Sequence, residues 1–487
     1  MNQADFVRWL KSRARRVVLI EIGVNSGGQE LTRYLSTGAY NTGPADVPAN
    51  QVYLPVVEVG MSFPEQLSIG ASSSVSSGDI EINNTGGVRD AWLADIWMNR
   101  PIRAWIGDTE WGRADFQLIF SGVVADVSPK GRDVLALKLR DRMQLLNMPL
   151  SEAVIGGVGA NAGALLPVCF GECHNVTPVL TDPATLEYAV HTSAIEQIIE
   201  VRDNGLPVSF APLLSAGRFR LNQAAIGQIT CSVQGDKSGG YVNSLAGIVR
   251  RILTSFGPLS TRLQASDIDA SNFTGFDQAH PQPMGIYLTD RTNIIAAVQQ
   301  LAGSVGAQLV ASAQGLFQLY QISLPSPGGF QILDRHIEER SLVPKTRTDV
   351  VAGIKLGYCR NYTVQNQLQT ALPPEHKALY AQDYLVAFAS DEATRALYRL
   401  DTTVAQQNTC LLRKSDADIE ATRQLTMWKV PRTVYEAQGV PELMQLSVGQ
   451  PVTVMVSRFG LSAGVGGVVV MRSVAWDSGK VKIGVIV

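Results

Sequence analysis

From Val17 to Asp141 the chain is a succession of short runs rich in β-branched and aromatic residues, each cut off by Gly, Pro, Asn or Asp. The runs are VVLIEIGV, QVYLPVVEVG, SGDIEIN, RPIRAWIG, DFQLIFSGVVADV and DVLALKLRD. Runs of this length bounded by turn residues read as strands, and several in series make a small barrel or sandwich. Residues 1–150 are therefore expected to form one β-domain, closed by DRMQLLNMPL. The far end repeats the pattern in ELMQLSVGQPVTVMVS, GGVVVMRSVAWD and SGKVKIGVIV, so 346–487 reads as a second β-rich domain.

Helical spacing appears between and around these strands. Residues 4–14 place Phe6, Trp9 and Leu10 on one face, and VRDAWLADIWMN also reads as a helix. In YVNSLAGIVRRILTSFG, Leu245, Ile248, Val249 and Ile252 share a face and Gly257-Pro258 ends the helix. TNIIAAVQQLAGSVG leads into two strands around Gln314-Gly315. Asp203-Asn204-Gly205 supplies a tight hairpin turn. SDEATRALYRL and SDADIEATRQLTMW add helices, the second with Ser415 and Asp418 at capping-box spacing. IGGVGANAGALLP fits a domain boundary and LPSPGG an exposed loop. At 487 residues the chain exceeds one ordinary core, so two to four domains are expected. The fold class is α+β, β-rich and multidomain: two tube-like β-barrel domains, 1–150 and 346–487, flank a mixed α/β middle region, 151–345.

A formal net charge of −2 calls for neither nucleic acid nor an anionic membrane as partner. Near the N-terminus, VVLIEIGV is short and interrupted by Glu21, so neither a signal peptide nor a membrane anchor is expected. The five cysteines, Cys169, Cys173, Cys231, Cys359 and Cys410, are odd in number and scattered, which suits reduced thiols made in a cytoplasm.

Candidate chemistry is sparse. Cys169 and Cys173 lie within zinc-ligand spacing, with His174 a possible third ligand, yet no second Cys/His pair lies near them. The weightier reading is two small apolar thiols facing a core. His174, His191, His280, His336 and His376 sit in no recognisable triad motif. The GVGANAG run has no strand–helix context for phosphate and reads as linker. Asp108, Glu110 and Asp115 could pair for glycoside hydrolysis, but their neighbours describe a hairpin turn. Arg13, Arg15 and Arg16 read as a solvated helix end, with contact to an acidic partner as the second reading. No catalytic, cofactor or metal site is expected.

The order of several stretches resembles the tail-tip (baseplate) hub proteins of long-tailed bacteriophages of the siphophage type. These are PVCFGECHNVTPVLTDPATLEYAVH with the RDNGLPVSF hairpin, AVQQLAGSVGAQLVASAQGLFQLYQI, and GYCRNYTVQNQL through LMQLSVGQPVTVMVSRFGLSAGVGGVVV. SGDIEINNTGGVRDAWLADIWMNRPIRAWIG, FSGVVADV and LKLRDRMQLL fit the same group. The resemblance implies a homotrimeric structural virion protein with two tube-like domains per chain. Three chains would then present a pseudo-sixfold ring to the tail tube or distal tail protein, and a threefold face to tip or central fibre proteins. It also implies a tape measure protein as partner, a place at the virion tail tip after assembly in the host cytoplasm, and a part in the genome-ejection channel. Some hubs hold an iron–sulfur cluster on four C-terminal cysteines; this chain has only Cys359 and Cys410 there, so the cluster is not carried over. The rival expectations are a hub-associated peptidoglycan hydrolase acting through Asp108–Asp115, and a distal tail or receptor-binding component.

Overall fold

A computed structural model describes residues 3–487 apart from 11, 13, 14, 59–61, 71–76, 157–160, 367, 477 and 478. Arg13 and the first half of GVGANAG lie outside the described residues. The chain is α+β and β-rich, and it divides into two compact units whose segments interleave. One unit comprises 1–145, 310–348 and 431–487, and the other 146–309 and 349–430. The region 346–487, expected as a single barrel, is thus divided between the units.

The first unit holds two large sheets. Eight strands run in the order Tyr40–Asn41, Val52–Pro55, Gln29–Ser36, Arg16–Ser26, Pro101–Asp108, Gln117–Gly131, Val134–Asp141, Ser77–Asn83. Alternation along Val134–Asp141 and Pro101–Asp108 sends Leu135, Leu137, Leu139, Ile102, Ala104 and Ile106 inward. The expected tube is open in strand order. The segment after Val52–Pro55 reaches the edge strand Ser77–Asn83 through the bridge Val57↔Ile82, where Glu58 N donates to Glu81 O at 2.9 Å and Asn83 N to Val56 O at 2.8 Å.

The second sheet runs Phe330–Leu333, Pro451–Met455, Val465–Ala475, Lys480–Ile486, Thr433–Gly439, Val343–Arg347. It is also open rather than a barrel. Its edge strand Val343–Arg347 is exposed throughout and carries Pro344, Lys345 and Arg347, which discourage further strand pairing. Ser62–Gln66 crosses from the N-terminal segment to pair with Val465–Ala475. There Glu65 bridges to Arg472 and also accepts from Ala313 N at 2.8 Å, while Arg472 donates to the carbonyls of Met444 and Leu446. One aliphatic core serves both sheets, with Ile20, Ile22 and Leu137 from the first beside Val469, Ile483 and Val485 from the second.

The second unit contains a five-stranded sheet ordered Leu206–Pro207, Ile195–Asp203, Ile229–Asp236, Val168–Val176, Gly285–Leu288. A four-stranded sheet holds Val179–Asp182, Glu187–Ala189, Arg218–Leu221 and Phe210–Leu213, and a three-stranded one centres on Gly353–Tyr358. Helices Leu245–Ser255 and Ile294–Gly303 bury the faces their spacing indicates. The hairpin at Asn204-Gly205 forms with both residues at positive φ, 45° and 86°.

Two local expectations fail. VRDAWLADIWMN is not an α-helix but a single 3-10 turn at Asp90–Ala94, followed by Ile96 bridged to Asn25. The capping box at Ser415 does not form, because helix Lys414–Trp428 begins one residue earlier and Asp418 takes the Lys414 ammonium at 2.7 Å instead. Helix Ala270–Ala279, which the sequence reading omits, is capped by Asp269 accepting from Asn272 N at 3.0 Å.

Candidate functional site

Cys169 and Cys173 lie on strand Val168–Val176, and both are fully buried. Four residues apart on a strand, they face the same side, and Cys231 joins them in one core with Val176, Val201 and Tyr287. The strand changes partner midway: Val168–Gly171 pairs with 285–288, and Glu172–Val176 with 231–234. Gly171 makes the change at φ +63°, where an added Cβ would stand 1.9 Å from the Met284 carbonyl oxygen. Gly285 and Gly235 have the same tightness against the carbonyls of Glu172 and Cys169. The CFGECH motif is thus built around a glycine kink rather than around its cysteines.

Burial pushes the Cys173 and Cys231 thiols far up, and Cys410 up to about 12. Neutral thiols are poor metal ligands and poor nucleophiles. His174 points away from the thiols and is partly exposed, 3.2 Å from the Glu172 carboxylate. Among the described residues no three His, Cys, Asp or Glu side chains converge in a way that could hold a metal ion.

His191 comes nearest to catalytic geometry. It is wholly buried, and its Nε2 faces Asp236 Oδ1 at 3.4 Å, while Arg251 donates to Asp236 Oδ2 at 2.7 Å. Nearby Ser193 and Ser238 line a cleft of about 500 Å³ with Phe256 and Arg262. However, His191 Nδ1 accepts from Cys169 N at 3.0 Å, so both ring nitrogens are spent on the fold and none is left as a base. Burial opposes ionisation of Asp236, and hydrogen bonds from His191, Arg251 and Ser238 outweigh it, holding its carboxyl below the usual range. The other histidines are dispersed. His280 stacks on Phe276 at 4.4 Å, His336 Nδ1 accepts from Leu333 N at 3.2 Å, and His376 is exposed in the first turn of Pro374–Tyr380.

Asp108, Glu110 and Asp115 occupy the hairpin expected of them. Asp108 accepts from Trp9 Nε1 at 3.1 Å and from Glu110 N at 3.2 Å, which is turn work. The structured group there is Arg113, which sequence reasoning passed over. Its guanidinium is buried between Glu21 at 3.0 Å and the Tyr53 hydroxyl at 3.2 Å, over the Trp105 ring at 4.0 Å. Burial and the bond to Glu21 push the Tyr53 hydroxyl far above its ordinary value. Only an Arg between acids and aromatics hinted at this network. Arg16 is not a solvated helix end: it folds back onto the carbonyls of Leu10 and Ser12, at the C-terminus of helix Gln3–Leu10. Arg15 is exposed.

These clusters are saturated internally; each positions backbone, and none presents a reactive group to an open cleft. No protein-family model matches the chain, and no curated protein matches it in sequence. Among solved structures, a tail protein from Neisseria meningitidis aligns over 96% of this chain and 96% of its own at 10% identity, TM-score 0.39. The 43 kDa tail protein of prophage MuSo2 from Shewanella oneidensis aligns over 96% and 98% at 11% identity, TM-score 0.41. A prophage tail protein from Listeria monocytogenes aligns over 95% and 94% at 8% identity, TM-score 0.42.

Proposed function

We propose that this chain is a structural virion protein, the homotrimeric hub of a phage tail tip, joining the sixfold tail tube or distal tail ring to threefold tip components. The observation that carries the reading is the construction of the first unit. Two large open sheets, one N-terminal and one mainly C-terminal, share a single aliphatic core and are tied by Ser62–Gln66 and the Glu65–Arg472 pair. Two such sheets per chain are what three subunits need to offer six similar surfaces to a sixfold ring. The ordered sequence resemblance to tail-tip hubs supports the same reading, as does the internal saturation of every titratable cluster described above. In this reading the sheets line part of the genome-ejection channel, and the tape measure and tip or central fibre proteins are neighbours of the hub.

The test is the native mass of the purified full chain. A particle of about 157 kDa, three times the 52.5 kDa chain, is expected. A hexamer would move the assignment to a distal tail ring. Clearing of peptidoglycan in a zymogram, lost on Asp108→Asn, would replace the hub by a wall hydrolase.

A further inference from the structure

The cleft near the buried His191–Asp236 pair is rich in hydroxyls that the fold does not exhaust. Five of them line it, on Ser151, Thr192, Ser193, Ser238 and Ser255. Ser193 and Ser238 hydrogen-bond to each other at 3.2 Å, Ser255 bonds to Thr254 at 3.3 Å, and Ser151 Oγ accepts from Ala153 N at 3.2 Å. Each keeps bonding capacity, since a hydroxyl donates once and accepts twice. The Thr192 hydroxyl makes no hydrogen bond among the described residues. Pro149, Leu150, Ala153, Phe256 and Pro258 supply the apolar part of the lining, and the whole cleft lies within the second unit.

Two charged side chains reach this cleft, and they differ in what they already hold. Glu152 lies 3.3 Å from Arg291, so its charge is answered. Arg262 donates its Nε to Gly257 O at 3.1 Å, which anchors the guanidinium, and it has no acid within ion-pair distance among the described residues. The walls are held by backbone bonds. Gly257 N donates to Leu150 O at 2.8 Å, Leu150 N to Thr292 O at 2.9 Å, and Leu166 N to Ala153 O at 2.8 Å. A cleft of about 500 Å³ whose form exists before binding suits a small molecule.

We propose that this cleft binds a saccharide unit carrying one anionic group, its carboxylate or phosphate on Arg262 and its ring hydroxyls on the Ser and Thr hydroxyls. Hydroxyls that both donate and accept match the hydroxyls of a sugar in either direction, and the apolar lining meets its C–H faces. The one unanswered charge in the cleft is positive, which calls for an anion and repels a metal ion. A nucleobase fits poorly, because the Phe256 ring is buried with its centre 4.8 Å from that of Phe170, leaving no aromatic face open for stacking. The inference goes beyond the hub reading and does not depend on it, since the cleft belongs to one unit of one chain.

The experiment titrates the full chain by calorimetry with glucuronate, glucose 6-phosphate, glucose and inorganic phosphate. Glucuronate or glucose 6-phosphate should bind at millimolar concentration, and the tighter of the two names the anion. Glucose should bind about tenfold more weakly, because it lacks the charge-assisted bond to Arg262. Arg262→Gln should bring the charged sugar down to the level of glucose. Thr192→Val, which removes a hydroxyl that the fold does not use, should weaken charged and neutral sugars alike by about threefold. Near-ultraviolet circular dichroism checks the fold, and Thr192→Val carries the test if Arg262→Gln fails it. Absence of saccharide binding at millimolar concentration overturns the proposal. Inorganic phosphate binding as tightly as glucose 6-phosphate overturns it too, by reducing the cleft to an anion site. So does saccharide binding that neither variant changes, which would place it elsewhere on the chain.

Discussion

The two units are stabilised differently. The core of the first is aliphatic, drawn from the inward positions of alternating strands, and its ion pairs, Glu65–Arg472 and Glu21–Arg113, are staples beside that core. In the second, backbone contacts that only glycine permits sit beside polar groups wholly inside: His191, Asp236, and Asn175 donating to Asn361 Oδ1 at 2.7 Å and to Thr363 O at 2.8 Å. Aliphatic packing tolerates exchange between similar side chains, whereas buried polar networks and glycine contacts tolerate almost none. The aliphatic core of the first unit should therefore absorb substitution that the polar core around His191 and Asp236 in the second cannot.

The largest expected effect is at Gly171. Gly171→Ala meets both the positive φ and the Met284 carbonyl at 1.9 Å, and should cost roughly 4 kcal/mol, seen as early loss of the second unit's transition in denaturant. Gly163→Ala shares a positive φ, +83°, but has nothing within 4 Å, so a cost of about 1 kcal/mol is expected. Equal losses would break the argument from close approach. Next, Glu65→Ala leaves Arg472 in the first unit without its acid and should cost about 3 kcal/mol, while Glu65→Ala with Arg472→Met should recover much of it. A double variant as unstable as the single one would show that the pair does more than neutralise itself.

Acid should separate the units next. Burial opposes ionisation of both Asp236 and Glu200, and their hydrogen-bond partners outweigh it, so both carboxyls are depressed in the folded state. The unfolded chain then binds protons first as pH falls. The stability they give is present above the unfolded carboxylate value of about 4, and is lost as pH drops through the lower folded values. His280 adds a loss at milder pH. Burial lowers its folded value, so the unfolded chain charges first below about 6.5. Unfolding followed against pH should show the second unit weakening in two steps, and His280→Phe should remove the milder one. The smallest effect is chemical: at neutral pH iodoacetamide should modify half-buried Cys359 slowly and leave Cys169, Cys173, Cys231 and Cys410 untouched until denaturation. Rapid native labelling of Cys173 would contradict the burial of that core.

Legibility in the sequence divides along the same line. SGDIEIN lies in the structure as the strand Ser77–Asn83, and helix 245–255 buries Leu245, Ile248, Val249 and Ile252, the residues its spacing named, because strand and helix periods are local properties. The segment 88–99 misleads because its apolar residues recur at helical intervals, while Trp92 and Trp97 are claimed by Arg33 from a distant strand. The candidate site was legible only in part. The cysteines of CFGECH caught attention, yet Gly171 between them determines the geometry, and its demand appears only when Met284 is brought against it.

By itself, then, the sequence determined the β-rich character of both ends, the main helices and the hairpin turns, all of which depend on neighbours a few residues away. Tertiary structure alone decided that 349–430 joins the middle segment while 310–348 and 431–487 join the N-terminal segment. It alone decided that Glu65 meets Arg472, and that Asp236 lies between His191 and Arg251. Those pairings join residues far apart in the chain, and which of many chemically similar partners meet is settled by how the whole core closes.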